Sequence, residues 1–465
     1  MPQYRTNLHL FAKTTGAILL GIILIGQAAA TDLNGSDIDQ LDKLYQNFSK
    51  QFYLQKSTQT STRHNNFQPL MQAVEKHQQN KQTIDAITLI VTHLDLIQSN
   101  VDSPAVINIL ALLLKHNEWD SASRLFTTIQ NDSNKTIVSN ARFIMAKHYM
   151  RRNQWQKAIE QLDGITGDLV VNDADYANLM HGVALQRLKK HREAIEIYEK
   201  NTAISTLHPQ ITLNLAVAYI RQDWWTDAHA AINELLKRSL NDSLSELENR
   251  FNVILGYSLM RQGYYRNARD AFRKVNISSQ YTNQALIGIT LAAINQDNYV
   301  GALNAATILK EKQEHDLPSA ESYLLIPYIY SKLDQSLTAS ASYSSAIEHY
   351  TQEIQAIETL LEKNSMLLNT IQITDNQILM IDKYQMDTLQ RFPQSLIDNY
   401  LHIKEFKIQT DIGLTQQLNP LEAAYNDALI NVARAFLTER ATQLNSYIAQ
   451  SRYGLALLYD SSLTE

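Results

Sequence analysis

Few residues in this 465-residue chain have the type and spacing to do chemistry. Its 13 histidines are scattered, and no two stand within four residues of each other. That removes the local i, i+4 ligand pair of a helical metal site and leaves only a site assembled from distant parts. His181 reads as a packed core histidine, not a ligand. With no cysteine, thiolate catalysis, disulfides and a lipidated N-terminal cysteine are all excluded. There is no glycine–serine elbow, phosphate loop or zinc-protease helix. The Gly164/Gly167 pair fits a turn. The expectation is therefore no enzyme, no cofactor and no metal. One arrangement does carry chemical content, a series of cations at Lys115, Arg151, Arg187, Arg221, Arg261 and Lys332, broken only by Asn295. Lined up along one edge, they could hold the carboxylates of a partner segment through charge-assisted hydrogen bonds. The competing reading is plainer: a cation in the last turn of a helix favours the helix dipole.

The elements that must position this row follow from what surrounds it. Seven residues after each member stands an alanine: Ala122, Ala158, Ala194, Ala228, Ala268, Ala302 and Ala339. Three residues before five of these alanines is a large aromatic, namely Trp119, Trp155, Trp225, Tyr265 and Tyr299. Four residues after them come mostly bulky residues such as Phe126, Tyr198 and Phe272; twelve before, mostly small ones such as Ala146, Gly182 and Gly256. A period near 34 with fixed small and aromatic positions means stacked helix–turn–helix units, in which neighbours bury the apolar face that one pair cannot. Each unit reads as helix A, a short polar turn and helix B.

The segment Leu255-Gly256-Tyr257-Ser258-Leu259-Met260-Arg261-Gln262-Gly263-Tyr264-Tyr265-Arg266-Asn267-Ala268 closely resembles the tetratricopeptide repeat motif. The resemblance runs over roughly Val101 to Tyr350. It implies an all-α, right-handed helical solenoid that binds other proteins. A degenerate capping unit is expected around Ala86. Pro327, inside the last helix A, should kink it, and the stretch Ser239–Glu248 reads as a longer connection.

Helix A residues expected to face the concave groove are apolar, among them Val183, Val217, Ile220, Tyr257, Met260 and Leu291. An open apolar groove needs an occupant. Either a partner helix lies in it with the cation row at its rim, or part of this chain folds back into it.

The N-terminus places Arg5 and Lys13 before an apolar run from Gly16 to Gly26 and then Ala28-Ala29-Ala30. This is the pattern of a secretory signal, with cleavage expected after Ala30 and an uncleaved inner-membrane anchor as the minor alternative. The run is short of the ~20 residues that span a bilayer comfortably. Export without cysteine suggests the periplasm. The net charge of −6 becomes −8 once Arg5 and Lys13 are removed, which gives no support for nucleic-acid binding.

Residues 31–66 read as one amphipathic helix, Ile38–Tyr53, and a polar linker ahead of a solenoid over 67–345. From 346 to 465 the expectation is a long helical hairpin. One seam runs through Tyr350, Ile354, Ile357, Leu361, Asn364, Leu368 and Ile371, another through Leu437, Ala441, Leu444, Ile448, Ser451, Leu455 and Leu458, with a shorter helical region from about Gln377 to Lys407 between them. Such seams cap the solenoid or join two copies of the chain. The function expected is a periplasmic scaffold binding another cell-envelope protein. The alternatives are a component of an exopolysaccharide export or secretion machine and a structural oligomer.

Overall fold

A computed structural model describes residues 35–462 apart from 60–62, 133, 170, 202–206, 239–244, 313, 375–378, 387–391 and 410–411. The signal-like segment 1–30 and most of the Ser239–Glu248 stretch lie outside the described residues. Among those described, helices dominate. A first helix α1 (Gly35–Gln59) precedes the degenerate pair α2 (Phe67–Gln79) and α3 (Thr83–Thr92), then a short α4 (Leu94–Gln98). Seven pairs follow: α5 and α6 (Ala105–Lys115, Trp119–Gln130), α7 and α8 (Lys135–Arg151, Trp155–Asp163), α9 and α10 (Val171–Arg187, His191–Asn201), α11 and α12 (His208–Arg221, Trp225–Arg238), α13 and α14 (Ser245–Arg261, Tyr265–Phe272), α15 and α16 (Thr282–Ile294, Tyr299–Glu311), and α17 and α18 (Leu317–Lys332, Ser336–Leu361). The array is a run of helix–turn–helix repeats packed in chain order. All eight in-phase alanines, Ala86 included, are fully buried. Helix α17 runs on through Pro327.

One backbone device makes every pair. Five residues before each alanine the chain turns left-handed, at Lys81 (φ 58°), Asn117 (53°), Asn153 (56°), Lys189 (63°), Asp223 (59°), Gly263 (82°), Asp297 (53°) and Asp334 (58°). The N–H that follows reaches back to a carbonyl five residues earlier, as in Glu118 to Leu113, Trp224 to Tyr219 and Tyr264 to Leu259, each at 2.9 Å. This is the six-to-one closure of a Schellman motif, which satisfies a helix-end carbonyl and reverses the chain. Asn, Asp and Gly bear positive φ most cheaply, and they fill six of the eight positions. The aromatic that follows, Trp119, Trp155, Trp225, Tyr265 or Tyr299, is the first residue of helix B.

The end of the chain departs from the expected hairpin. Helix α18 does extend the first seam, burying Tyr350, Ile354 and Ile357, but it stops at Leu361. A short α19 (Asn364–Thr370) follows, and then an antiparallel meander: β1 (Ile371–Ile373), β2 (Leu379–Ile381) and β3 (Tyr384–Met386), paired Ile371 with Ile381 and Ile381 with Tyr384. Helix therefore does not begin near Gln377. The burial alternates along β2 and β3, with Leu379, Ile381, Tyr384 and Met386 inside, a period of two that a helix cannot present to one side. Helix α20 (Gln394–Gln409) and the 51-residue α21 (Ile412–Ser462) complete the chain.

The chain forms two compact units, with boundaries inside α11 and α21. One contains Leu33–Asn214 together with Phe392–Leu429; the other contains Leu215–Arg391 and Ile430–Glu465. In the first, α1 packs on α20 through Phe48 and Phe52, whose rings lie 5.5 and 4.7 Å from that of Phe406. In the second, the late part of α21 packs on α18: Tyr447 meets Tyr350 at 5.5 Å, and the buried seam continues through Leu437, Leu444 and Ile448.

The same unit shows why small residues stand twelve before the alanine. A Cβ at Gly256, twelve before Ala268, would come within 2.5 Å of the Phe272 ring, and one at Gly288 of the next repeat would approach the same ring as closely. Gly256→Val should therefore cost about 1–3 kcal/mol through overpacking, read as a lower urea midpoint, whereas Gly263→Asn, at a left-handed position facing open space, should shift the midpoint little.

Candidate functional site

The six cations of the row meet different fates. In the first unit, Lys115 ends α5 and is exposed, whereas Arg151, at the end of α7, donates to the Asp398 carboxylate of α20. Its neighbour Arg152 pairs with Asp42 of α1 and also donates to Asn117 Oδ1 at 3.0 Å. Both side chains of the Arg152–Asp42 pair are nearly enclosed, at 9% and 7% exposure. Burial holds the Asp42 carboxyl up at about 6, against the pull of Arg152 and a hydrogen bond from Asn399. The chain's own helices thus carry the acids that this end of the row binds. A cavity of about 220 Å³ lies here, lined by Lys115, Lys147, Arg151, Arg152, Asp398 and Asn399 among others.

Stacked imidazoles sit beside these cations. His116 and His402 lie 4.3 Å apart, and Tyr45 donates its hydroxyl to the His116 carbonyl at 2.9 Å. His148 stacks on Trp119 at 5.5 Å. Burial first, and then the nearby Lys115, Arg151 and Arg152, push His116 down to about 4 and His148 to about 3; His402 is lowered in the same way. All three are therefore neutral at pH 7.

The remaining cations are used differently. The Arg187 guanidinium lies 5.6 Å from the Trp155 ring centre, in the preceding repeat. In the second unit Arg261 repeats this on Trp225 at 5.0 Å and stands 3.7 Å from Asp223. Residues seven before and three before the alanine thus meet between consecutive repeats, a cation–π contact worth about 0.5–1 kcal/mol at exposed sites. The sequence contained both positions, but only stacking brings them together. Lys332 sits 5.6 Å from the Tyr328 ring centre on its own helix. Arg221 is half-buried; burial, and then Arg261, lower its affinity for its proton.

The apolar groove residues correct the expectation of an open concavity. Ile220, Tyr257, Met260 and Leu291 are buried, and Val183 and Val217 half-buried. Tyr257 packs edge-on to Phe272 at 4.8 Å and donates to the Gln284 carbonyl at 2.8 Å. Met260 and Leu291 belong to the same core as Phe272, Ile287 and Ile329. Tyr257, Met260 and Leu291 fill the space between repeats, so they cannot also be a free docking face.

No protein-family model matches the chain, and no curated protein matches it in sequence. Among solved structures it is similar to the pilF protein of Pseudomonas aeruginosa, at 15% identity over 49% of this chain and 97% of that one, with a TM-score of 0.35. A tetratricopeptide repeat protein of Parabacteroides merdae gives 14% identity, 62% and 98% coverage and a TM-score of 0.36. The apo form of RapI gives 12%, 70% and 96%, and 0.41. Each likeness is loose, and the repeat fold rests on the buried alanines and left-handed turns described above.

Two predictions follow from the buried charges. Each of the three histidines has a folded pKa below its unfolded value of ~6.5, so their stabilisation is present above pH 6.5 and lost as pH falls towards 4. Asp42, raised to about 6, works in the opposite sense, as do Glu118, Glu321 and Glu405, which burial also raises; against these four acids stand six lowered histidines, the three above with His181, His229 and His349. The melting temperature should accordingly fall between pH 7 and 5, with a shallower fall in His116→Gln. Arg152→Ala should cost about 3–5 kcal/mol at pH 7 by leaving Asp42 buried without its cation. Protonation of Asp42 should narrow that gap to the unsubstituted protein at pH 5, whereas the loss from Asp42→Asn, which strands the arginine, should not narrow.

Proposed function

We propose that this protein is a non-enzymatic, periplasmic scaffold that binds another cell-envelope protein through cations at the helix A ends, Arg221 and Arg261 foremost. What carries this reading is Arg151. At the same repeat position it already holds the carboxylate of a helix packed on the repeats, so the position is suited to gripping an acidic helix. Arg221 and Arg261 stand one repeat apart, and Arg221, already disfavoured as a cation by burial, is disfavoured further by Arg261. The acid that the second unit sets near Arg261 is Asp223, in a pair more than half exposed on both sides and so worth little. An acidic segment laid across the two arginines relieves their repulsion. The apolar helix A residues enter this reading as the packed floor beneath the cations. The export reading is supported by the basic, apolar and A-x-A order of residues 1–30, and among the described residues no helix is long and apolar enough to cross a membrane.

Crosslinking in intact cells, with the full chain and an Arg221→Glu/Arg261→Glu variant as parallel baits, tests it. The expected result is an envelope protein captured by the first bait and reduced at least about tenfold with the second, with the second bait still folded. Equal capture by both baits would reduce these arginines to their contacts within the repeats.

A further inference from the structure

A second concavity, inside the second unit and away from the cation row, has the features of a built site. It measures about 280 Å³ and is lined by Lys310, Ser319, Tyr323, His349, Arg440 and Leu444, with Glu314, His315, Ala320 and Glu353 completing the wall. Arg440, on α21, is 8% exposed; it donates one guanidinium N–H to the Asp316 carbonyl at 2.9 Å, while its Nε has no acceptor. The hydroxyl of Ser319, 2% exposed, has no partner either. A buried donor without an acceptor costs about 1–3 kcal/mol, and more when charged. Two such donors on the wall of one cavity call for an acceptor inside it.

The charges nearby point to the sign of that acceptor. Glu353 takes Lys383 at 2.7 Å and the Tyr384 hydroxyl at 2.8 Å, with His315 at 3.6 Å. Glu314 takes Lys312 at 3.2 Å and the amide of Asn283 at 2.5 Å. Asp316 caps its own helix through Ser319 N and also accepts from Asn283. Glu321, packed inside with Tyr350 and Tyr447, is raised by burial to about 8 and so adds no charge at pH 7. The acids on the wall are thus already engaged. Lys310 lies over the Tyr323 ring at 4.6 Å, and Tyr323 stacks on His349 at 3.9 Å. His349 is pushed down by burial and is neutral. Lys310 and Arg440 stand on the same wall and make no direct ion pair among the described residues, although Asp316 and Glu353 lie near enough to Arg440 to favour its charge.

We propose that this cavity binds a small organic carboxylate, with its charge held by Arg440 and Lys310 and a further hydrogen bond from the Ser319 hydroxyl. The planar guanidinium suits a carboxylate, and the three donor side chains line one cavity. The body of the ligand lies against Leu444, Ala320 and the edge of Tyr323. The volume is just under the ~300–1,000 Å³ of drug-sized pockets, which sets the scale at a single ring or a short chain. The site is independent of the protein-binding surface proposed above.

Isothermal titration of the full chain with benzoate, acetate and inorganic phosphate at constant ionic strength tests it. Benzoate should bind saturably below about 10 mM and acetate about tenfold more weakly. Lys310→Gln and Arg440→Gln should each weaken benzoate about tenfold, and Arg187→Gln, in the other unit, should leave it unchanged. Lys310 is half-buried at the mouth, so that variant should keep its melting temperature should Arg440→Gln fail to fold. Absence of saturable benzoate binding, or binding indifferent to Lys310→Gln, overturns the site. Phosphate binding as tight as benzoate overturns its organic character.

Discussion

The structure depends above all on one local closure, the left-handed residue that ends helix A five positions before each buried alanine. Without it the chain would leave helix A in line with the axis, and its last carbonyls would lie open. With it, the backbone satisfies its own helix end, and the aromatic that starts helix B arrives at a constant place. The alanine then lets the two helices close together. Repeated at a near-constant spacing, this makes each pair a copy of the one before, and ring-on-glycine contacts such as Phe272 against Gly256 and Gly288 set how closely copies stack. The closure is a backbone effect, which is why it survives in the degenerate pair, where Lys81 takes the same φ as the asparagines and aspartates further on.

Charge is layered on this frame in two ways. Where α1 and α20 pack against repeats, Arg151 and Arg152 are matched by Asp398 and Asp42, and imidazoles beside them stay neutral because burial and like charge both oppose protonation. Where repeats alone provide the surroundings, Arg187 and Arg261 lie on the tryptophan of the previous unit. The same sequence position thus anchors helices of this chain in one place and braces neighbouring repeats in another. A basic residue at this repeat position is therefore compatible with both a structural and a binding role, and its neighbours decide which it plays.

The cavity at Arg440 belongs to neither pattern. It exists because a long helix from the end of the chain places an arginine beside the start of α17, where the acids are already engaged by Lys312, Lys383 and Asn283. Removing a cation from water without a direct ion pair is costly, and that cost is the physical ground for the anion site proposed there.

Much of this was written in the chain. The eight alanines, the aromatics three before them and the small residues twelve before them placed every helix pair, because a helix interface constrains residue size at fixed spacing. The turn position was also legible, as Asn, Asp or Gly in six of eight units, although only the backbone angles reveal its handedness. Other features could not be read that way. Tyr257 and Met260 looked like groove residues because periodicity tells which helix face is apolar but not what covers it. The strands at 371–386 are three residues each, too short for a period of two to stand out from a helical seam. Arg151 with Asp398, 247 residues apart, is a pairing that no local pattern encodes, and neither is the placing of Arg440 and Ser319 on one cavity wall. Sequence by itself determined the repeat, since local sterics and hydrogen bonding act over a few residues. Only the tertiary structure decided which cations are matched and which are left facing a cavity, because that depends on distant helices arriving at the same place.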